Sequence, residues 1–355
     1  MKSTLIVPAA GESTRYKNLR PKMLLQHPRG ITMLEASISG FAKGKSSQIG
    51  KILIISRQDY FENVDSVRLE NAIQNSVGIP TKIHLLPTPT SSMVETILCG
   101  LEFVDQDTPL IIKDCDNDVR ISDSSFFTTD NALVYADLTK MPYVTASNKS
   151  FIKKTDESNV NLIVEKKIIS SFINLGLVKF ETCSTFITAS KTISGTNQHY
   201  VSDIVRGAME LGINFQAIEA DHFDDWGTIK DWLKYVDDFR TIFIDLDGVL
   251  VKNASKFSIT SDWSTFDPIV ENCEVLLRLF REGKTEIVIT TARDDSHRNE
   301  ISTFLKNIGL TDFKLVTGLP HSKRILINDF AESLPFPTAI GISIPRNSNS
   351  LESYL

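Results

Sequence analysis

The chain has 355 residues, 41% apolar and 23% charged, with a formal charge of −6. These are values of a globular protein with real cores, not of a disordered or fibrous one. The acidic balance speaks against a nucleic-acid partner, which needs a basic face, and no apolar run approaches the ~20 residues of a membrane span. Cys99, Cys115, Cys183 and Cys273 lie far apart with no C-x-x-C pair, against a zinc site or a disulfide framework.

The apolar opening, Leu5 to Ala10, is too short for a signal-peptide core, so a cytoplasmic protein with no membrane partner is expected. "STLIVPAA", "KILIIS", "KIHLLP" and "PLIIKDCD" are near-continuous apolar runs, as for strands buried on both faces. Helical patterns at 32–43 and 92–104 lie between them. This alternation predicts a mostly parallel sheet with helices on both sides, an α/β Rossmann-like fold. From 132 to 190 the pattern turns strand-rich ("NALVYADL", "VNLIVEKKIIS", "GLVKF"), predicting a mixed sheet with hairpins. "TASNKSFIKKTDESN" reads as an exposed turn between two of these strands. A helix, "TIKDWLKYVDDF", runs almost directly into a second βα series: "TIFIDLDGVL", a helix near 268–283, "TEIVITTA", a helix near 295–308, "FKLVTG" and "RILIND". Two domains are expected, 1–238 and 239–355.

The first strand is followed by "PAAGESTRYKNLRPKMLL". Gly11 would let the backbone approach a phosphate, and Ser13 and Thr14 add hydroxyl and amide donors. Arg15 offers a planar fork for phosphate oxygens and Lys22 a point charge. A lone glycine and arginine would suit an ordinary strand-to-helix turn with surface cations better. The combination resembles the opening of the nucleotidyltransferases that join a nucleoside triphosphate to a phosphorylated sugar or alcohol: a strand, then A-[AG]-G-x-[GS]-[ST]-R, a gap, and P-K-x-L. Ala10, Gly11, Ser13, Thr14, Arg15, Pro21, Lys22 and Leu24 match. Glu12-Ser13 stands where many members carry a second glycine, and the gap before Pro21 is short. The P-A-A-G start is closer to the CTP-using branch.

The resemblance spans about 1–238 and implies a GT-A-like domain. It implies nucleotide contacts at Ala9, Ala10, Gly11, Glu12, Ser13 and Thr14, and at Thr90, Ser91 and Ser92 of "PTPTSSMVETILCGL" for base and ribose. "PLIIKDCDND" carries Asp114 and Asp116 where the family holds a Mg²⁺ aspartate. Two residues apart on a strand, both could reach one ion, and position favours Asp116. "VEKKIIS" matches the E-K segment whose lysine, here Lys166, contacts the acceptor phosphate. "INLGLVKF" places Gly176 near the sugar. "FDDWGTIKDW" matches D-x-G-T-x-x-D, which makes Asp225 the second Mg²⁺ ligand. In the implied reaction an acceptor phosphate oxygen attacks the α-phosphorus and pyrophosphate leaves, with Arg15 and Lys22 holding the triphosphate. D-C-D alone would also suit a glycosyltransferase with a D-x-D metal site, which leaves Arg15, Pro21-Lys22 and D-W-G-T unexplained.

"FIDLDGVL", "IVITTAR" and "PHSKRILINDF" resemble, in that order, the motifs of the haloacid-dehalogenase phosphatases over about 240–355. The resemblance implies Asp245 as nucleophile, Asp247 as acid/base, Thr291 (or Thr290) on the phosphoryl group and Lys323 neutralising it. Mg²⁺ would sit on Asp245, the Asp247 carbonyl and Asp329. Asn328 replaces the first acidic residue of the usual final pair. No large insertion follows the first motif, so a Rossmannoid domain without a large cap is expected. His321 is a loop histidine beside these motifs, and the three tryptophans suit packing.

These readings combine into a bifunctional Mg²⁺-dependent enzyme taking CTP and a sugar or polyol phosphate, for bacterial capsule or other surface polysaccharide. A homo-oligomer is compatible with them. The rival is a nucleotidyltransferase whose C-terminal domain only binds ligand or supports assembly.

Overall fold

The structure, a computed structural model, describes the whole chain except residues 13–15, 17–20, 142–143, 194–199, 258, 260–261 and 330–338. Its contacts divide it into two compact units, Met1–Tyr235 and Val236–Leu355.

The first unit begins with β1 (Ser3–Pro8), α1 (Met33–Ala42), β2 (Ile49–Arg57), α2 (Ser66–Val77), β3 (Thr81–Leu86), α3 (Met93–Leu101) and β4 (Leu110–Lys113). It continues through β5 (Asn117–Arg120), the single-turn α4 (Ser125–Thr128), β6 (Ala132–Asp137), β7 (Ser150–Lys154), β8 (Val160–Glu165) and β9 (Phe172–Phe180). It closes with α5 (Cys183–Thr192), α6 (Val201–Glu210), β10 (Gln216–Glu219), β11 (His222–Asp225) and α7 (Ile229–Asp237), whose last two residues fall in the second unit. Among the described residues nine strands form one sheet, ordered β10-β6-β9-β4-β1-β2-β3 with the β7–β8 hairpin attached through β9; β5 and β11 form a separate antiparallel pair. β1 to β4 run parallel, whereas β9 lies antiparallel between β4 and β6.

The apolar strands are continuous because both faces are covered. Leu5 and Val7 of β1 pack with Leu34, Ile38 and Phe41 of α1 and Ile73 of α2. Ile6, pointing the other way, packs with Ile97 of α3 and Ile204 of α6. Beyond β1 the chain adds β2 and β3 on one side, then crosses back to lay β4 on the other. The crevice at the carboxyl ends of β1 and β4 is thus a topological switch point, the place where an open α/β sheet receives its ligand.

The polar segment expected as a turn is corrected. Residues 150–154 are β7, and the turn is confined to 155–159, because Phe151 and Ile152 bury their side chains.

Below the crevice His27 is buried among Trp226, Trp232 and Tyr235, with ring centroids 5.8, 6.0 and 5.5 Å away. Its Nδ1 accepts the Arg29 N–H at 3.1 Å, which leaves Nε2 to donate to the Tyr235 hydroxyl at 2.9 Å. Burial, with Arg29 beside it, lowers its pKa from 6.5 to about 4, while Asp118 and Asp224 pull the other way. The unfolded chain takes up this proton below pH 6.5 and the folded one only near 4, so stability falls as pH drops through that window. The loss should be on the order of 2 kcal/mol. Denaturant unfolding of wild type and His27→Gln at pH 4 to 7 should show a flatter slope in the variant; equal slopes would remove His27 as the cause.

The second unit has β12 (Arg240–Asp245), α8 (Val270–Arg281), β13 (Thr285–Thr290), α9 (Arg298–Asn307) and β14 (Lys314–Val316), with parallel strands ordered β12-β13-β14. Leu246, Leu276, Ile289, Ile301 and Leu305 form its core. The expected third buried strand, "RILIND", is not formed: residues 321–329 lie outside any strand, with Ile325, Leu326 and Ile327 77%, 56% and 89% exposed. A strand needs a ladder partner as well as apolar residues, and only the residues themselves are visible in a sequence pattern.

Candidate active site

The loop after β1 is tied down by its backbone. The Ala9 N–H donates to the Ile55 carbonyl at 2.7 Å, and the Ser56 and Tyr60 hydroxyls donate to the carbonyls of Ala9 and Gly11 at 3.1 and 2.7 Å. Among the described residues, a Cβ at Gly11 would meet no atom within 4 Å. Packing against the described residues does not explain this glycine, and the space above it would leave room for a ligand to approach the backbone. Tyr16 is buried, its hydroxyl set between the carbonyls of Trp226 and Thr228. Ser13, Thr14 and Arg15 lie outside the described residues; Glu12 is exposed.

Lys22 opens a short 3₁₀ turn, Lys22–Leu24, and its ammonium pairs with Asp116 at the end of β4. Asp225 ends β11 and lies opposite Asn117, while the next residue, Trp226, donates its N–H to the Asp116 carbonyl at 3.0 Å. The two aspartates expected to bind Mg²⁺ therefore sit on facing segments one residue out of register. Asp225 is held by the Lys149 ammonium at 2.7 Å and by the Gly227 N–H at 3.1 Å. Carboxylate oxygens are the donors a hard divalent cation prefers, so the pair fits Mg²⁺.

Asp114 has a different setting. Desolvation, then the Asp116 charge, raises its pKa to about 7 against the pull of Lys113, Lys22 and Lys149. Gly176 has φ +67°, and a Cβ there would stand 2.0 Å from Asp114 Oδ2. The resemblance placed Gly176 near a sugar; the structure adds an internal reason for the glycine. Gly176→Ala should cost at least about 2 kcal/mol, from left-handed strain and the clash together. In an Asp114→Ala background the cost should shrink to about 1 kcal/mol of strain. Equal costs in both backgrounds, read by denaturant unfolding, would sink this account.

Beneath the loop lies Lys113, fully buried, its pKa lowered to about 8 by desolvation. Its ammonium reaches the Ser37 hydroxyl at 2.6 Å, the carbonyls of Asp114 and Asn117 at 3.0 and 3.1 Å, and Asn117 Oδ1 at 2.6 Å. It pins the turn that carries Asp114 and Asp116. Lys166 has φ +54°, donates its N–H to the Lys149 carbonyl at 3.0 Å, and lays its ammonium on the Tyr200 hydroxyl, 4.5 Å from that ring's centroid. At 90–92 the hydroxyls serve α3. Ser92 Oγ accepts the Glu95 N–H at 3.1 Å, Ser91 donates to the Glu95 carboxylate at 2.6 Å, and Thr90 pairs with Thr96 at 2.6 Å. Glu95 thus reaches back past the N-cap to Ser91, and a nucleotide would have to share these hydroxyls.

No family model matches the chain, and no curated protein sequence matches it. Solved structures do. One is a nucleoside-diphosphate-sugar pyrophosphorylase from Vibrio cholerae RC9, 22% identical, TM-score 0.56, over 66% of this chain and 99% of its own. Others are the inositol-1-phosphate CTP transferase from T. maritima (11%, TM-score 0.51, 65% and 91%) and a UDP-glucose pyrophosphorylase complexed with UDP-glucose (16%, TM-score 0.52, 67% and 98%). Over about two thirds of its length the chain shares the fold of these structures. In that fold, Lys22, Asp116, Asp225 and Lys149 come together from four separate stretches of chain.

The second unit is read from its own geometry. Asp245 ends β12 opposite Thr290, and two residues on, before a turn closed by the Gly248 N–H on the Val251 carbonyl, the Asp247 carboxylate meets Thr291 and Arg293 just past β13. Desolvation, then Asp247, raises the Asp245 pKa; the charges of Arg324 and His321 oppose this. Lys323, expected to neutralise the phosphoryl group, and Asp329, expected as a metal ligand, lie in the exposed strandless stretch. Thr291 is buried and donates its hydroxyl to Asp247 at 2.9 Å; the Thr290 hydroxyl donates to the Ile244 carbonyl at 3.2 Å. The residue missing from the sequence reading is Arg293. Fully buried, it donates from Nε and Nη2 to the Asp247 carboxylate at 2.7 to 3.2 Å, and reaches the carbonyls of Trp263 and Thr265.

Proposed function

We propose that the first unit transfers a nucleotidyl group from a nucleoside triphosphate, CTP in the first instance, to a phosphorylated sugar or polyol. The observation that carries this reading is the meeting of Lys22, Asp116 and Asp225 at the switch-point crevice, beside a loop whose glycine leaves room for phosphate. An oxygen of the acceptor phosphate bonds to the α-phosphorus, the bond from that phosphorus to the β-phosphate oxygen breaks, and pyrophosphate leaves. Arg15 and Lys22 hold the triphosphate, and Lys166 orients the acceptor. Asp116 and Asp225 would hold Mg²⁺, which supplies neutralisation of the phosphate oxygens. Catalysis is then alignment plus charge stabilisation, with no covalent intermediate on the protein.

For the second unit the proposal is an aspartyl-phosphate phosphatase with Asp245 as nucleophile, supported by its position at a strand end beside Asp247 and Thr291. The competing reading is a binding or assembly domain. It is favoured by the tie of Asp247 to Arg293 and Thr291, since the guanidinium and the hydroxyl occupy the carboxylate oxygens that a leaving group would have to reach. By the resemblance, the product is an activated sugar or polyol for capsule or another surface polysaccharide.

The test is a matrix of nucleoside triphosphates against sugar and polyol phosphates, reading pyrophosphate and free phosphate separately. Pyrophosphate from at least one pair supports the first unit's role; none from any pair overturns it. Phosphate release abolished by Asp245→Asn supports the phosphatase, and release that survives it does not. Asp116→Asn and Asp225→Asn should each raise the Mg²⁺ requirement. If Asp114→Asn does so and Asp116→Asn does not, the wrong aspartate has been chosen.

A further inference from the structure

Lys149 has no role in the reading above, yet it is built into the site. A 3₁₀ turn, Ala146–Asn148, delivers it to the start of β7, and the ladder pairs Ser150 with Glu165, which sets Lys149 opposite Lys166. Its ammonium lies 2.7 Å from Asp225 Oδ2 and 5.5 Å from the centroid of the Phe223 ring, with the two side chains only 17% and 10% exposed. Lys22 does the same for Asp116. Each carboxylate proposed for the metal thus carries a lysine from a different element. Asp114, Asp116 and Asp225 would otherwise crowd negative charge into one half-buried crevice, at a cost that low dielectric magnifies.

An ammonium in salt-bridge contact with a carboxylate opposes a divalent cation at that same oxygen. We infer that Lys149 is an exchangeable counter-cation: it holds Asp225 while the crevice is empty, releases it when nucleotide and metal enter, and then binds the acceptor phosphate beside Lys166. The inference rests on the nucleotidyltransferase reading and deepens it. It makes two chemical demands. Without nucleotide, Lys149 must suppress metal binding at Asp225. With nucleotide, Lys149 must serve the acceptor rather than the triphosphate.

The first demand is read without any turnover. Mn²⁺ is titrated into full-length, nucleotide-free protein and free Mn²⁺ is followed by its paramagnetic resonance signal. Lys149→Met should bind Mn²⁺ at least about tenfold tighter than wild type, Lys149→Arg should bind as wild type does, and Lys149→Met/Asp225→Asn should lose the gain. Lys149→Gln repeats the test should the methionine variant fail to melt cooperatively. The second demand is read in steady state: KM for the acceptor phosphate should rise at least about tenfold in Lys149→Gln, with KM for the triphosphate changed less than about twofold. Unchanged or weaker Mn²⁺ binding in folded Lys149→Met and Lys149→Gln would make Lys149 a static brace and overturn the proposal. So would a KM effect confined to the triphosphate. A wild-type protein that makes no pyrophosphate from any substrate pair sinks the nucleotidyltransferase reading instead, and the Mn²⁺ titration still reports on the Lys149–Asp225 exchange.

Discussion

Lys22→Ala is expected to cut nucleotidyl transfer at least about 100-fold, the scale of losing one electrostatic contact to a transition state. The lysine stands on a 3₁₀ turn at the mouth of the crevice, fixed behind Pro21, and its ammonium already rests on Asp116. In the proposed reaction it would meet, from that position, the charge that develops on the leaving pyrophosphate. The loss should fall mainly on kcat rather than on KM for the triphosphate, because the contact strengthens as the leaving group gains charge. Pyrophosphate release under saturating substrates measures it. A folded variant releasing pyrophosphate at nearly the normal rate would take Lys22 out of the machinery. The same scale of loss is expected for Arg15→Ala on the sequence motif.

Arg293→Met should destabilise the second unit by about 3 kcal/mol. The guanidinium is fully buried and serves Asp247, two backbone carbonyls and the Phe266 ring, which lies 4.7 Å away. Methionine fills part of the volume and satisfies none of these groups, so a charge and two carbonyls are left without their donor. Arg293→Met/Asp247→Asn should recover part of the loss, because the stranded charge goes with the second change. Denaturant unfolding measures both. A single variant as stable as wild type would show that the pair does not hold this unit together.

Much of the first unit was legible because its signals are local. The continuous apolar runs became β1 to β4, and the helical periods at 32–43 and 92–104 became α1 and α3 with small shifts at their ends. Lys22, Asp116 and Asp225 stood out because each sits in a short motif at a strand end or turn. What escaped was set by partners far along the chain. Nothing in "ASNKS" separates Lys149 from a solvated lysine; only the β7–β8 ladder and Asp225 give it a place. Lys113 did leave a trace, a cation inside an apolar strand, and Arg293 another, directly after "ITTA". Either could have been marked as a charge in want of a buried partner. "RILIND" misled in the opposite direction, since composition reports the wish for a neighbour and not its presence.

The bond from Tyr16 to the carbonyls of Trp226 and Thr228 spans 210 positions to the first of them. On the ribosome, at ~5–20 residues per second, the first loop waits on the order of ten seconds or more for that partner to be made. The nine described strands of the large sheet are all made by Glu219, before Trp226 exists. A chain cut after residue 220 would contain every described strand of that sheet and yet leave the loop after β1 without this anchor. The Tyr16 anchor is thus among the last contacts of the unit to form, and any ligand that depends on it can stabilise only chains made past Thr228.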